Sequence, residues 1–249
     1  MWGRRRWVPA DRDAARGARL GARGAGVARG AVRSVRGRPR WCARAAGRPQ
    51  LDAVASMRGG RGAAPRRFVL LDRDGTINEE VGHLARSDDL RLIPGSAEAI
   101  RRLRTAGLGI VVVTNQADVG RGLLAPEDLE SIHARLLDML AAEEAEVDAV
   151  LHCPHAPEDG CDCRKPAPGM ARAAAERFGF DGTDAFVVGD HAGDVGLGRA
   201  IGATTFLVLT GHGAEEAERA RHEDLADHVV PDLSTAADII TALVEQEAG

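Results

Sequence analysis

The apolar run Phe68-Val69-Leu70-Leu71 is followed at once by Asp72-Arg73-Asp74-Gly75-Thr76. Four consecutive apolar residues with no polar alternation suit a strand covered on both faces, as in a parallel sheet. In such sheets ligands bind just beyond the carboxyl ends of the strands. Asp72 and Asp74 therefore stand where chemistry is expected. Gly75 permits a turn that side-chain-bearing residues resist, and two hard oxygen ligands in one crevice suit magnesium. Taken alone, the same residues also describe a plain Asp-Gly turn after a strand, so the rest of the chain has to decide.

From Phe68 onward strand-like and helix-like segments alternate, which predicts a doubly wound parallel α/β sheet in a single domain over residues 65–249. Residues 77–92 carry several charges and no clear helical pattern, and are expected as a loop or small hairpin over the strand tips. Pro94-Gly95-Ser96 opens a helix to about residue 106, with Ser96 as N-cap and Gly107 as its stop. A second strand over 108–113 ends in Thr114-Asn115-Gln116. Pro126, with Glu127 and Asp128 in the first turn, starts a long helix whose stripe is Leu129, Ile132, Leu136, Leu137 and Leu140. His133 lies beside that stripe and is read as structural. Strands are then expected over 149–152, 185–188, 204–209 and 228–230, and helices over 169–178, 195–201, 214–221 and 234–246.

Charge divides the chain. Residues 1–67 hold 18 of the 33 basic residues and 3 of the 37 acidic ones, a net +15, which leaves 15 and 34, a net −19, for residues 68–249. Residues 1–64 lack sustained apolar periodicity and are read as a disordered Arg-rich extension. Three accounts of it stay open: a nucleic-acid-binding arm, a transit peptide, or sequence upstream of a true start at Met57. The acidic balance of the folded part argues against nucleic-acid binding by that part. No apolar run approaches the roughly 18 residues of a membrane span, and the N-terminus lacks the apolar centre of a secretory signal. A reduced cytoplasmic setting is expected.

Cys153, His155, Cys161 and Cys163 place three thiols and an imidazole within eleven residues. These soft and borderline donors suit tetrahedral zinc, and four protein ligands leave no open position, so a structural metal ordering loop 153–163 is expected. An odd number of thiols in the folded part argues against a disulfide framework. Arg164 and Lys165 follow directly, and Lys165 is the only lysine in the chain. A lone Lys among so many Arg suggests that a point charge is wanted there. The fourth strand runs into Gly189-Asp190-His191-Ala192-Gly193-Asp194. Asp190 can complete a magnesium site with Asp72 and the backbone around Asp74. Asp194 is either a helix-start residue facing the macrodipole or a support behind the ligands. Carboxylates with a metal, a hydroxyl, an amide and fixed cations make a phosphoryl-transfer site. Asp72 is the better nucleophile, forming an aspartyl-phosphate, and Asp74 the group that protonates the leaving oxygen and then activates water.

On the motifs Asp72-Arg-Asp-Gly-Thr, Thr114-Asn-Gln, Lys165-Pro and Gly189-Asp-x-x-x-Asp194, the chain resembles the haloacid dehalogenase (HAD) superfamily of phosphatases over about residues 68–240. The insert Cys153-Pro-His155 with Cys161-Asp-Cys163-Arg-Lys-Pro narrows the resemblance to its zinc-bearing subgroup, which takes in heptose bisphosphate and histidinol-phosphate phosphatases. The resemblance implies a HAD-like Rossmannoid fold, Asp72 as nucleophile, Asp74 as general acid/base, and Thr114 and Lys165 holding the transferring phosphoryl group. It also implies substrate contacts from Asn115, Gln116, Arg164 and the loop carrying Glu80 and His83, with magnesium on Asp72, the carbonyl of Asp74 and Asp190. Asn78, the run from Thr114 to Gly122 and Lys165-Pro-Ala-Pro-Gly-Met170 favour the heptose branch, hence removal of the C7 phosphate of a heptose 1,7-bisphosphate, with histidinol phosphate or another small sugar phosphate as the alternative. His191 stands where the family often has Lys, and His83 where it often has an aromatic. The expected partner is thus a small sugar phosphate, handled by a monomer with no membrane contact and no nucleic-acid contact from the folded domain. A non-enzymatic zinc module with a basic arm would explain the extension, but not why Asp72, Asp74, Lys165 and Asp190 fall at strand ends.

Overall fold

A computed structural model of the protein describes residues 66–222 and 225–248. The expectations for the Arg-rich extension and for a start at Met57 lie outside the described residues. Six strands, β1 (Phe68–Leu71), β2 (Gly109–Asn115), β3 (Ala149–Cys153), β4 (Phe186–Gly189), β5 (Thr204–Val208) and β6 (His228–Val230), form one sheet in the order β3-β2-β1-β4-β5-β6. Every neighbouring pair is parallel. The helices are α1 (Ser96–Thr105), α2 (Pro126–Ala142), α3 (Gly169–Phe178), α4 (Ala192–Ile201), α5 (Gly213–His222) and α6 (Leu233–Ala248).

Both faces of the sheet are covered, as the uninterrupted apolar runs require. Val69, Leu71, Ile110, Val112, Phe186, Val188, Phe206 and Val208 pack with α1, α2 and α6. Phe68, Leu70, Val111, Val113 and Val187 pack on the other side with Met170, Ala171 and Ala174 of α3 and Leu197 of α4. With apolar residues on both faces, alternation alone cannot select the register of β1 against β2. Gly109 does so: it pairs with Phe68, whose ring stacks on Phe178 and Phe180, and a Cβ at position 109 would come within 2.1 Å of that ring.

Local differences from the sequence-based expectations have physical causes. β2 continues through Thr114 and Asn115 because β3 pairs with it as far as Asn115–Cys153. The N-cap of α1 is Gly95, at φ 85°, and Ser96 is its first helical residue. α4 starts at Ala192 because His191 and Asp194 form a reciprocal cap. Asp232 caps α6, accepting from the Thr235 amide at 2.8 Å. Residues 77–92 form the expected irregular segment, with one 3-10 turn at Ser87–Asp89, and a single helical turn at Ala117–Gly120 was not anticipated.

The chain runs outward from β1 through β2 to β3, then returns to the other side of β1 and continues through β4, β5 and β6. The direction of winding reverses between β1 and β4, and a crevice opens at such a switch point beyond the carboxyl ends of the two strands. Asp72 follows β1 directly and Asp190 follows β4 directly.

Candidate active site

The Asp72 amide donates to Val188 O at 2.9 Å, which carries the β1–β4 ladder one residue past β1. Ligand oxygens of Asp72, Asp190 and Asp194 consequently lie within 4.8 Å of one another. Lys165 reaches into this group from the segment before α3. Its Nζ lies 2.7 Å from Asp72 Oδ1 and 2.6 Å from Asp194 Oδ1, and donates to Val113 O at 2.8 Å. Burial opposes the ammonium charge, but Asp194 and Asp72 outweigh it and hold Lys165 protonated. Burial, together with Asp194, pushes the Asp72 carboxyl well above its ordinary range despite Lys165. Burial and Asp194 likewise raise Asp190 to about 6.

Three carboxylates against one ammonium leave a deficit of two charges in a nearly dry crevice. That deficit and the all-oxygen donor set fit a hard divalent cation. The surroundings are shaped for it. Gly75 at φ 77° and Gly211 at φ 54° flank Asp190, and a Cβ on either would come within 2.1 or 2.2 Å of Asp190 Oδ2. Thr210 Oγ1 donates to Gly75 O at 2.6 Å, and the His212 amide to Asp190 Oδ2 at 2.8 Å. Sequence reasoning missed this Thr210–His212 loop; its signal was a Gly-flanked polar stretch following a strand. Asp194 unites the two readings offered for it, since Oδ2 accepts from the His191 amide at 3.1 Å while Oδ1 faces Lys165.

Asp74 hangs on the other side of the crevice. Arg73, 1% exposed, grips its carboxylate through Nη2 at 2.7 Å and Nε at 3.1 Å. Asn78 Nδ2 and Gln116 Nε2 each donate to it at 2.9 Å. Burial alone would raise Asp74, but the Arg73 charge and these donors prevail and hold it below the usual carboxylate range. Gln116 also donates to Thr114 Oγ1 at 2.8 Å. Asn115 spends its amide on the Lys165 backbone, accepting from the amide at 3.0 Å and donating to the carbonyl at 3.2 Å. These two amides thus orient Lys165 and Asp74. Arg164 lies against the Cys/His loop, its Nη1 3.4 Å from His155 O. His133 is half-buried in α2, and burial together with the Arg73 charge lowers it to about 3, which keeps it neutral.

Beside Asp74 lies a pocket of about 200 Å³ lined by Glu80 and His83 of the irregular segment and by Asn115, Gln116, Asp118 and Arg121. Asp118 and Arg121 went unassigned in the sequence reading, although the run containing them was noted.

The second cluster, at the end of β3, brings Cys153, His155, Cys161 and Cys163 together. Sγ–Sγ separations are 3.2–3.5 Å, and His155 Nδ1 lies 3.5 Å from Cys153 Sγ and 3.1 Å from Cys163 Sγ. These are far from a disulfide bond and close to the edges of about 3.6–3.8 Å that 2.0–2.3 Å ligand bonds give a tetrahedral site. Hydrogen bonding to Cys153 and burial push the Cys163 thiol up, an effect that a central cation reverses. The cluster is therefore fitted to a metal. It is also bonded to the rest of the site: the Gln116 amide donates to Cys153 O at 2.7 Å, and Gly120 lets Pro154 O approach to where a Cβ would be 2.6 Å away.

Comparison with known proteins agrees with this geometry. Residues 162–236 match the HAD-hydrolase-like family. The D-glycero-beta-D-manno-heptose-1,7-bisphosphate 7-phosphatase of Pseudomonas aeruginosa is 44% identical over 149 residues, 59% of this chain and 84% of that protein. The D-glycero-D-manno-heptose-1,7-bisphosphate 7-phosphatase of Thermosynechococcus vestitus is 39% identical over 188 residues, 71% of this chain and 96% of that protein. The crystal structure of D,D-heptose 1,7-bisphosphate phosphatase from B. bronchiseptica, complexed with magnesium and phosphate, superposes with a TM-score of 0.66 at 35% identity, covering 70% of this chain and 97% of the other. With a switch-point carboxylate cluster, a Cys/His loop fitted to a metal and relatives matched over most of their own length, the chain belongs to the HAD-like hydrolases, in the heptose bisphosphate phosphatase family.

Proposed function

We propose that the protein removes the C7 phosphate of D-glycero-D-manno-heptose 1,7-bisphosphate through an aspartyl-phosphate on Asp72. The observation that carries this is the division of labour around the crevice. Asp72 faces Lys165 at 2.7 Å in a crowded carboxylate group, while Asp74 is held apart from that group by Arg73, Asn78 and Gln116. On this reading Asp72 attacks and Asp74 moves a proton. In the first half, an Asp72 oxygen bonds to phosphorus as the bond from phosphorus to the C7 oxygen breaks, and Asp74 gives its proton to that oxygen. In the second, Asp74 takes a proton from water whose oxygen bonds to phosphorus, releasing Asp72. The donors around Asp74 favour the ionised form that the second half needs. An incoming phosphate dianion opposes them and raises its proton affinity for the first.

On this reading Lys165 and the Thr114 hydroxyl hold the phosphoryl oxygens, and Arg164, Glu80 and His83 border the sugar. Arg121, in the same pocket, supplies positive charge for the second phosphate. Asp72, Asp190 and the backbone carbonyl of Asp74 would hold magnesium, which offsets the repulsion between phosphate and carboxylates when bound. Cys153, His155, Cys161 and Cys163 would hold a structural zinc that fixes the loop leading to Lys165. The enzyme is read as acting as a monomer, in the cytoplasm where such a charged sugar is met. Among the described residues no helix is long and apolar enough to cross a membrane. Phosphate release from heptose 1,7-bisphosphate and from histidinol phosphate, with magnesium present, tests the assignment: a kcat/KM for histidinol phosphate equal to or above that for the heptose overturns it.

A further inference from the structure

Two separate stretches border the substrate pocket: the irregular segment through Glu80, Gly82 and His83, and the turn through Asp118 and Arg121. His83 Nδ1 lies 2.7 Å from Asp118 Oδ2 and bridges them across 35 positions. An ionised carboxylate only accepts, so Nδ1 carries the hydrogen. The His83 side chain is 69% exposed, yet it faces this carboxylate rather than open water. Asp118 is also the hub of its own turn. Its main-chain carbonyl accepts from the amides of Leu123 and Leu124 at 2.8 and 3.2 Å, and its Oδ1 lies 3.8 Å from Arg121 Nη1. Of the two arginines lining the pocket, Arg73 is committed to Asp74, whereas Arg121 makes, among the described residues, this long side-chain contact with Asp118 alone. If His83 did not hold Asp118, the carboxylate could close on Arg121 and cancel its charge.

We propose that His83 is a specificity-determining positioning residue: by holding Asp118 it ties the loop around Gly82 across the pocket and keeps Arg121 available to an anionic group at the end of the substrate remote from the transferring phosphate. This rests on the bisphosphate reading given above. His83→Ala is expected to raise KM for heptose 1,7-bisphosphate about fivefold, a typical scale for a partly exposed ionic contact. KM for heptose 7-phosphate should rise less than that for the bisphosphate, because any contact of His83 with the sugar is common to both and cancels in the ratio of the two KM values, which is the quantity read. Adding Asp118→Asn to His83→Ala removes the carboxylate that would cover Arg121, so the double variant should recover most of the lost KM, which mere loosening of the loop would not do. Amide exchange over residues 79–84, which needs no substrate, should quicken in His83→Ala. Unchanged exchange, equal effects on the two sugars, or a double variant worse than His83→Ala each overturns the proposal. Failure of the functional reading looks different: the unaltered protein would not turn over heptose 1,7-bisphosphate at all, and the specificity role would fall with it whatever the exchange result.

Discussion

Replacing Asp72 with Asn should abolish turnover and, in protein prepared without magnesium, stabilise the fold. Asp72 Oδ1 lies 2.7 Å from Lys165 Nζ, and the ligand oxygens of Asp190 and Asp194 lie within 4.8 Å. At an effective dielectric constant of about 20, Coulomb's law gives about 6 kcal/mol of attraction to Lys165 and about 3.5 kcal/mol of repulsion from each carboxylate, so the charges nearly cancel. Burial then disfavours the ionised form, and the expected net cost of that charge is about 1–3 kcal/mol. Asn keeps an oxygen for Lys165 and deletes the charge. For a domain of this size the gain is about 2–10 °C in Tm. Its sign follows from linkage. The folded pKa of Asp72 is raised above its unfolded value, so the cost is absent below about pH 4, where the unfolded carboxyl is also protonated, and complete once pH exceeds the folded pKa. Calorimetry should therefore find a larger gain at pH 8 than at pH 4.5. Excess magnesium should narrow or invert the difference, because the parent binds the ion more tightly. A variant less stable than its parent at pH 8 without magnesium, or a gain equal at both pH values, would refute the claim that Asp72 is in charge conflict with its neighbours.

Gly75→Ala adds a Cβ 2.1 Å from Asp190 Oδ2 at φ 77°; strain and crowding should cost about 2–4 kcal/mol, and phosphate release should fall at least tenfold, so full activity with unchanged Tm speaks against the cradle described around Asp190. Lys165→Met leaves Asp72 and Asp194 without their counter-charge and should cost about 3–5 kcal/mol, a loss that calorimetry should find smaller at pH 5.5 than at pH 8 as the carboxylates take up protons. Cys163→Ser removes one of four metal ligands, and elemental analysis should find less than one tightly held metal ion per chain, together with a lower Tm; full metal content would show that the cluster does not act as a unit.

The parallel α/β class, the six strands and the motifs that follow β1, β2 and β4 were legible because each depends on near neighbours: apolar runs mark buried strands, and Pro126, Gly107 and Gly202 mark helix boundaries; Lys165, expected at a strand end, instead reaches the crevice from the segment before α3, twelve residues past β3. The clustering of Cys153, His155, Cys161 and Cys163 was legible for the same reason, the four donors lying within eleven residues. The partners within the site were not. Asp194 meets Lys165, Thr210 meets Gly75 across 135 positions, and His83 meets Asp118 across 35. Nor was it visible that Asn115 and Gln116 would turn their amides onto Lys165 and Asp74. The sequence by itself determined which residues follow β1, β2 and β4, since that follows from periodicity and turn chemistry along the chain. Only the tertiary structure decided which of them touch, because placing β4 rather than β3 beside β1 is a property of the whole sheet, and that placement puts Asp190 against Asp72 and makes the crevice.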